Sequence, residues 1–187
     1  MTVYTIDDVY GDQRPNAPSS TVVTYLPGPT VNQWDPVGGT CPAPKCGAGA
    51  GFNPPIDASK VHSGTWHTVT MNPGEPVTTI TLTFTGTSPT SHGWGAVRNQ
   101  NSGTQITVYC LLPPDLGQYI TSYMNMTFTL DGQPVGNYQR TTNTQDWVYN
   151  AAVFTSETFA SAEHTLVIEP QPGTDSSFLA FDYASYE

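Results

Sequence analysis

Positive charge is scarce in this sequence. Its 187 residues include 5 Lys and Arg against 15 Asp and Glu, which gives a formal net charge of −10. This balance disfavours a nucleic-acid partner, because no basic stripe is available to neutralise phosphates. An anionic membrane surface is disfavoured for the same reason. Neutral ligands such as carbohydrates, and metal cations, suit the composition better.

Long apolar runs and helix signals are also missing. No segment is apolar enough to span a bilayer and no signal peptide is recognisable, so we expect no membrane insertion. Only 11% of the residues are charged, and Thr, Gly, Pro, Tyr and Val dominate. This mixture favours twisted sheet with many turns over helix. Low charge with abundant Ser and Thr is typical of surface domains, and we predict an extracellular or cell-surface location.

Short β-prone segments separated by turns run along the chain. Residues 77–85 give the clearest pattern, with Ile80, Leu82 and Phe84 alternating with threonines. Asp131-Gly132 is a strong hairpin signal. About nine such segments, without strand–helix alternation, predict an all-β fold, an antiparallel β-sandwich or jelly roll. We expect one domain over residues 1–187, with a long Pro- and Gly-rich loop at about 26–56.

The chain has three cysteines. Cys41 and Cys46 flank a Pro-Ala-Pro-Lys segment and could close a small disulfide loop. A zinc site competes weakly, since no His follows at ligand spacing, and free thiols are the other alternative. Cys110 lies in an apolar run, and we expect it to be a buried, unpaired thiol.

An acid interrupts the last β-prone segment, because Asp182 follows Phe178 and Ala180 on the same face of a strand. A buried carboxylate needs a cation, a metal or several hydrogen-bond donors. Asp7 and Asp8 offer partners, although alternation should leave only one of them facing inward. The sequence predicts a structural calcium at Asp7, Asp8 and Asp182; the alternative is a set of hydrogen-bonded carboxylates that cap the sheet.

Several short motifs carry a resemblance to known domains. Residues 163–168 and 178–183 resemble the closing strands of galactose-binding-domain-like jelly rolls, among which are many carbohydrate-binding modules. The wider layout resembles the ectodomains of basidiomycete fungal surface proteins. The motifs concerned are Thr5-Ile6-Asp7-Asp8, Cys41 to Cys46, Thr65-Trp66-His67, Leu130-Asp131-Gly132 and Phe181-Asp182-Tyr183. The resemblance implies a jelly roll whose last-strand acid helps N-terminal carboxylates to hold a structural calcium.

Aromatic residues beside polar ones supply the candidate ligand contacts. A sugar offers an apolar face and hydroxyl edges, so its recognition needs a Trp or Tyr platform with polar neighbours. Two Gly-rich loops contain such pairs, and a tyrosine in a strand is a candidate lining residue; the alternative is that the Trp side chains plug the end of the sandwich. The predicted ligand-binding residues are Trp34, Asp35, His92, Trp94, Arg98, Asn99 and Tyr149.

Sequence signs of catalysis are weak. The chain contains no nucleophile elbow and no His-Glu-x-x-His helix, and spacing assigns no pair of carboxylates to a cleft. We therefore predict a non-catalytic glycan-binding protein, a fungal lectin or carbohydrate-binding domain. The alternatives are a structural or sensing extracellular domain without sugar affinity, and a small hydrolase or lyase acting on polysaccharide. Pairing strengthens weak single-site binders, which makes a homodimer compatible with this function.

Overall fold

Two antiparallel sheets make up the fold in the computed structural model, which describes residues 2–17, 23–26, 35–38 (backbone only), 54–86, 104–117 and 121–187. The strands within these ranges are β1 (Tyr4–Asp7), β2 (Gly11–Asp12), β3 (Val23–Leu26), β4 (Asp35–Gly38), β5 (Thr65–Met71), β6 (Thr79–Thr85), β7 (Ile106–Leu112), β8 (Met124–Leu130), β9 (Gln133–Arg140), β10 (Val148–Thr155), β11 (Glu163–Pro170) and β12 (Ser177–Tyr186). Short 3₁₀ turns at Ala58–Lys60 and His62–Gly64 precede β5.

The seven-stranded sheet has the order β10–β7–β12–β1–β2, with β5 pairing with β12 and β4 with β5. The five-stranded sheet has the order β3–β6–β11–β8–β9. The predicted all-β antiparallel sandwich of jelly-roll type is confirmed.

Side-chain alternation builds the inner face of the small sheet. Ile80, Leu82 and Phe84 of β6 are at most 1% exposed, while the threonines between them are partly exposed. Strands β8 and β11 repeat the pattern. Each such burial stabilises the fold by about 1.5–3 kcal/mol relative to an exposed side chain. The period of two predicted from residues 77–85 therefore fixes which face of this sheet meets the core.

Aromatic contacts join the two sheets across the core. Phe128 of β8 stacks on Phe154 of β10 with ring centroids 4.4 Å apart. Phe84 of β6 lies 5.2 Å from Tyr186 of β12. Both pairs connect one strand of each sheet, so the hydrophobic core lies between the sheets.

The hairpin between β8 and β9 follows the sequence prediction. Asp131 and Gly132 have φ values of 51° and 77°, and two left-handed residues are what a two-residue type I′ turn requires. Asp131 also anchors the turn to β11, which pairs with β8, since its Oδ1 accepts the backbone N–H of Thr165 at 2.9 Å.

Strand β12 is the centre of the large sheet. One of its edges pairs with β7. The other edge is divided, because residues 177–181 pair with β5 and residues 183–186 pair with β1. Asp182 stands where the partner changes, at a register shift against β7 between Phe181 and Tyr183. Such a bulge changes the direction of one side chain, and the residue at this bulge is Asp182.

Two further expectations concern cysteine and membrane insertion. Cys110 is a free and fully buried thiol, as predicted, whereas Cys41 and Cys46 lie outside the described residues. Within the ranges given above, no helix is long and apolar enough to cross a bilayer.

Candidate functional site

Three buried carboxylates meet where β12 changes partner. Asp7, Asp8 and Asp182 are 0%, 2% and 0% exposed. Strand β1 ends at Asp7, and Asp8 begins a turn. Both acids are buried, but burial alone does not give the face of the sheet that a side chain occupies. Asp7 is paired in register with Tyr183, whereas Asp8 contacts His67, and that only one of the two acids faces inward stays a prediction. The predicted gathering of these acids between the first and last strands is correct.

Asp8 is fully engaged by β5. Its Oδ1 accepts a hydrogen bond from the Thr65 hydroxyl at 2.5 Å, and its Oδ2 lies 2.7 Å from Nδ1 of His67. The ring of Tyr25 stacks on His67 with centroids 4.0 Å apart, and its hydroxyl donates to the Asp8 carbonyl. Burial raises the pKa of Asp8, and the bonds from His67 and Thr65 oppose that rise. This arrangement fastens β1, β3 and β5 together.

Asp7 is half engaged. Its Oδ1 accepts the backbone N–H groups of Val9 and Tyr10, at 2.9 and 2.8 Å, which shapes the turn after β1. Its Oδ2 lies 3.8 Å from Nε2 of His62. That separation is too long for a hydrogen bond, and both atoms are buried without a hydrogen-bond partner among the described residues.

Asp182 is the least compensated of the three acids. Its Oδ1 accepts the backbone N–H of His62 at 3.0 Å, while its Oδ2 is buried without a partner in the described ranges. Burial raises the pKa of Asp182 to about 8, and the nearby negative charges of Asp8 and Asp7 add to the rise. The carboxyl of Asp182 is consequently neutral through most of the physiological pH range.

The three acids provide too few free oxygen atoms to bind calcium alone. With Asp8 occupied by Thr65 and His67, one open oxygen remains on Asp7 and one on Asp182, whereas calcium takes six to eight oxygens. Among the described residues, no three His, Cys, Asp or Glu side chains are grouped so as to hold a metal ion. These residues do not form a calcium site by themselves, and the calcium at Asp7, Asp8 and Asp182 stays a prediction.

A column of three rings stands beside the acids on the outer face of the large sheet. The His62 ring lies 4.5 Å from that of Tyr183, and Tyr183 stacks on Tyr109 at 4.4 Å with 12° between the planes. All three residues are partly exposed. On β10 the register partner of Tyr109 is Ala152, which is small and exposed. The residue of β10 beside Tyr109 therefore has only a methyl side chain.

Polar residues continue from this column along the same sheet face. Thr107 lies two residues before Tyr109 in β7, and Ser185 lies two residues after Tyr183 in β12. Thr107 and Ser185 are paired in register, and on its other side Ser185 is paired with Thr5. A shallow hollow follows, lined by Val3, Gln105, Thr107, Ser185, Tyr186 and Glu187. The surface thus combines aromatic faces with hydroxyl and amide groups, as sugar recognition requires.

The tyrosine column was not predicted from the sequence. Tyr109 and Tyr183 are 74 positions apart, and only the register between β7 and β12 brings them together. The one available signal was that both side chains alternate with core residues in their strands.

The predicted ligand residues are largely outside the described part of the chain. This applies to Trp34, His92, Trp94, Arg98 and Asn99. Asp35 lies in β4, with its backbone paired with Thr68.

Tyr149 is described, and its hydroxyl accepts the backbone N–H of Asp57 at 2.8 Å. The ring of Tyr149 also lies 5.4 Å from Nζ of Lys60. Tyr149 therefore attaches the segment before β5 to β10, and its part in ligand binding stays a prediction.

Comparison with known proteins gives structural likeness only. No protein-family model matches the chain, and no curated protein matches it significantly. One similar solved structure is the CBM36-1 domain of a multidomain xylanase from the hindgut metagenome of Trinervitermes trinervoides. Its TM-score is 0.37 at 10% identity, over 64% of this chain and 76% of that one. Another is the catalytic domain of a GH87 α-1,3-glucanase in complex with nigerose, with a TM-score of 0.32 at 10% identity over 70% of this chain and 23% of that chain.

Proposed function

We propose that this protein is a non-catalytic carbohydrate-binding β-sandwich. The observation that carries the proposal is the ring column of His62, Tyr183 and Tyr109 beside a row of Thr and Ser side chains on the outer sheet face. Aromatic rings contact the apolar face of a pyranose, and neighbouring hydroxyls bind its edge. The net charge of −10 favours neutral glycans over anionic ones.

The acids near the column support binding rather than hydrolysis. A glycosidase needs two carboxyl groups that face a substrate across a cleft. Asp7, Asp8 and Asp182 are buried, and their hydrogen bonds either shape the turn after β1 or connect separate segments of the chain. In this proposal they hold the sandwich together. An extracellular lectin of fungal type, acting alone or as a homodimer, is the specific form of the proposal.

Calcium belongs to the proposal as a structural ion. Bound next to Asp7 and Asp182, it would offset the negative charge that these buried residues carry when ionised. The two open oxygens of Asp7 and Asp182 are the atoms that this chain offers it, and further oxygens would have to come from water or from other groups.

A glycan array followed by isothermal titration calorimetry tests the function. The wild-type protein should bind at least one neutral glycan, and Tyr109→Ala should weaken that binding at least tenfold. Thr81→Ala, on the outer face of the small sheet, is the matched control and should bind like the wild type. A folded protein that binds no glycan on the array would contradict the proposal and favour a structural or sensing domain.

A further inference from the structure

We infer that the sugar site is an extended tract for an internal stretch of about three neutral sugar units, running along the strands from Tyr109 to Gln105. This inference rests on the proposed function and specifies its ligand. It assigns the binding role to described residues of β7 and β12 and to Gln105, which immediately precedes β7, with Ala152 at one end.

The tract consists of three successive rows across the sheet. The first row contains Tyr109 and Tyr183, the second Thr107 and Ser185, and the third Gln105, whose carbonyl accepts the backbone N–H of Glu187. Rows two residues apart point to the same face of a sheet. The four steps along the chain from Tyr109 to Gln105 span roughly 13 Å at about 3.3 Å per residue, which suits about three linked sugar rings.

Each row offers a different contact. At the first row, Tyr109 is partly exposed and its register partner on β10 is the small, exposed Ala152, which leaves room beside the ring for the apolar face of a sugar. The Tyr183 hydroxyl is a phenol, which is protonated at neutral pH and can donate to a sugar oxygen. In the second row, the Ser185 hydroxyl and the Thr107 hydroxyl, which shares a hydrogen bond with Thr155 at 3.1 Å, present donors and acceptors to the next sugar unit. In the third row, the Gln105 amide nitrogen donates to the Ser156 carbonyl at 3.3 Å, which leaves the amide oxygen to accept from a sugar hydroxyl.

Charge selects against anionic sugars along this tract. The hollow at its far end includes Glu187 and no Lys or Arg among its lining residues. Arg14, whose guanidinium lies 5.9 Å from the centroid of the Tyr186 ring, is paired with Asp12 at 3.2 Å and donates to the Thr85 carbonyl. A uronic acid would therefore meet a carboxylate without a compensating cation.

The open form of the tract favours a chain interior over a chain end. The hollow is shallow and lies on a sheet face. A site for a terminal sugar would instead enclose the unit within a pocket. Affinity should consequently depend on the number of units in contact.

Titration with glucose oligomers of one to six units, in the β-1,4 and β-1,3 linkage series, tests the tract. We expect the affinity for the preferred series to rise at least tenfold from one unit to three, and less than twofold beyond four. Gln105→Ala should reduce the affinity for the trimer and leave that for the monomer unchanged. Equal affinity for monomer and hexamer would overturn the inference.

A second variant blocks the tract without removing a packed side chain. Ala152 is exposed, so Ala152→Arg should fold normally and fill the room beside Tyr109, with at least a tenfold loss of trimer binding. Ala152→Ser is the matched control and should bind normally. If Trp94→Ala abolishes binding while Ala152→Arg and Gln105→Ala do not affect it, the site lies elsewhere and the inference is wrong. Absence of binding to any glycan would contradict the proposed function itself, whereas length-independent binding contradicts only the tract.

Discussion

The imidazole of His67 lies 2.7 Å from the carboxylate of Asp8, and the two residues join the beginning of β5 to the end of β1. Both side chains are nearly enclosed, at 11% and 0% exposure. Breaking such a pair leaves a buried polar group without its partner, which costs far more than the loss of a surface contact.

Asp8→Asn should therefore lower the free energy of unfolding by about 3 kcal/mol, measured by urea denaturation. His67→Gln and the double variant complete a cycle, and the double variant should be less destabilised than the sum of the two single changes. Additive effects would show that the two residues stabilise the fold independently.

Asp182 should make stability depend on pH in the opposite sense to an ordinary salt-bridged acid. Its pKa is about 8 in the folded protein, against 3.8 for the free side chain. Between these values the folded state keeps a proton that the unfolded state has lost, so its contribution is complete below about pH 4 and is lost as the pH rises through 8. The free energy of unfolding should fall by up to about 1.4 kcal/mol per pH unit in this range.

The comparison is with Asp182→Asn, in EDTA-treated protein, by urea denaturation at pH 5, 6.5 and 8. Because Asn stays neutral, the free energy of unfolding of the variant should rise relative to that of the wild type as the pH rises. Asp8, whose pKa is raised by burial, is present in both proteins, and Asp182 is not among the causes of that rise, so its effect largely cancels. A constant difference between the two proteins would contradict the raised pKa of Asp182.

The proposed calcium should show in thermal stability. Adding calcium to EDTA-treated protein should raise the melting temperature, and Asp182→Asn should abolish that rise because it removes one of the two open oxygens. Magnesium, which demands a smaller octahedral site, is the control ion. An unchanged melting temperature in the wild type would mean that hydrogen bonds alone hold the acid cluster.

His164 should fix the β8–β9 hairpin to β11 through Asp131. Its Nδ1 lies 2.6 Å from Oδ2 of Asp131, and its Nε2 lies 2.8 Å from the Ala160 carbonyl. Because Asp131 is about half exposed, Asp131→Asn should cost only about 1 kcal/mol, measured by urea denaturation. Asn tolerates the positive φ of the turn, and Glu157→Gln on the surface is the control. A loss no larger than that of the control would show that the pair does not contribute to stability.

Cys110 should be chemically inert in the folded protein. It is fully buried, and burial raises the pKa of its thiol. A reagent therefore cannot reach the sulfur, and the reactive thiolate does not form. Iodoacetamide labelling followed by peptide mass spectrometry should leave Cys110 unmodified in buffer and modify it in 6 M guanidinium. Rapid labelling of the native protein would show that β7 opens locally.

Local patterns account for the parts of the fold that the sequence predicted. The alternation of residues 77–85 and the Asp131-Gly132 turn depend on neighbours in the chain, and both are found as expected. The burial of Asp182 was predictable because its neighbours are apolar.

Register and irregular backbone account for what was missed. His62 reaches Asp182 across 120 positions from a 3₁₀ turn that has no periodic signal. The column of Tyr109 and Tyr183 depends on the pairing of β7 with β12, which no single segment encodes. The partners of Asp8, Thr65 and His67, lie 57 and 59 positions away in the chain, so no local pattern predicts them.

The divided edge of β12 has a consequence for folding kinetics. Its partners β1, β5 and β7 are separated from it by long stretches of chain, and pairings of high contact order form slowly. Strand β1 forms only four register pairs with β12. We therefore expect it to be the last strand to pair with β12 during folding and the first to separate from it. We expect its amides to exchange with solvent by a sub-global opening that leaves the rest of the large sheet protected. In that opened state Asp182 would lose the covering of β1, so the rate of exchange should report directly on the acid cluster.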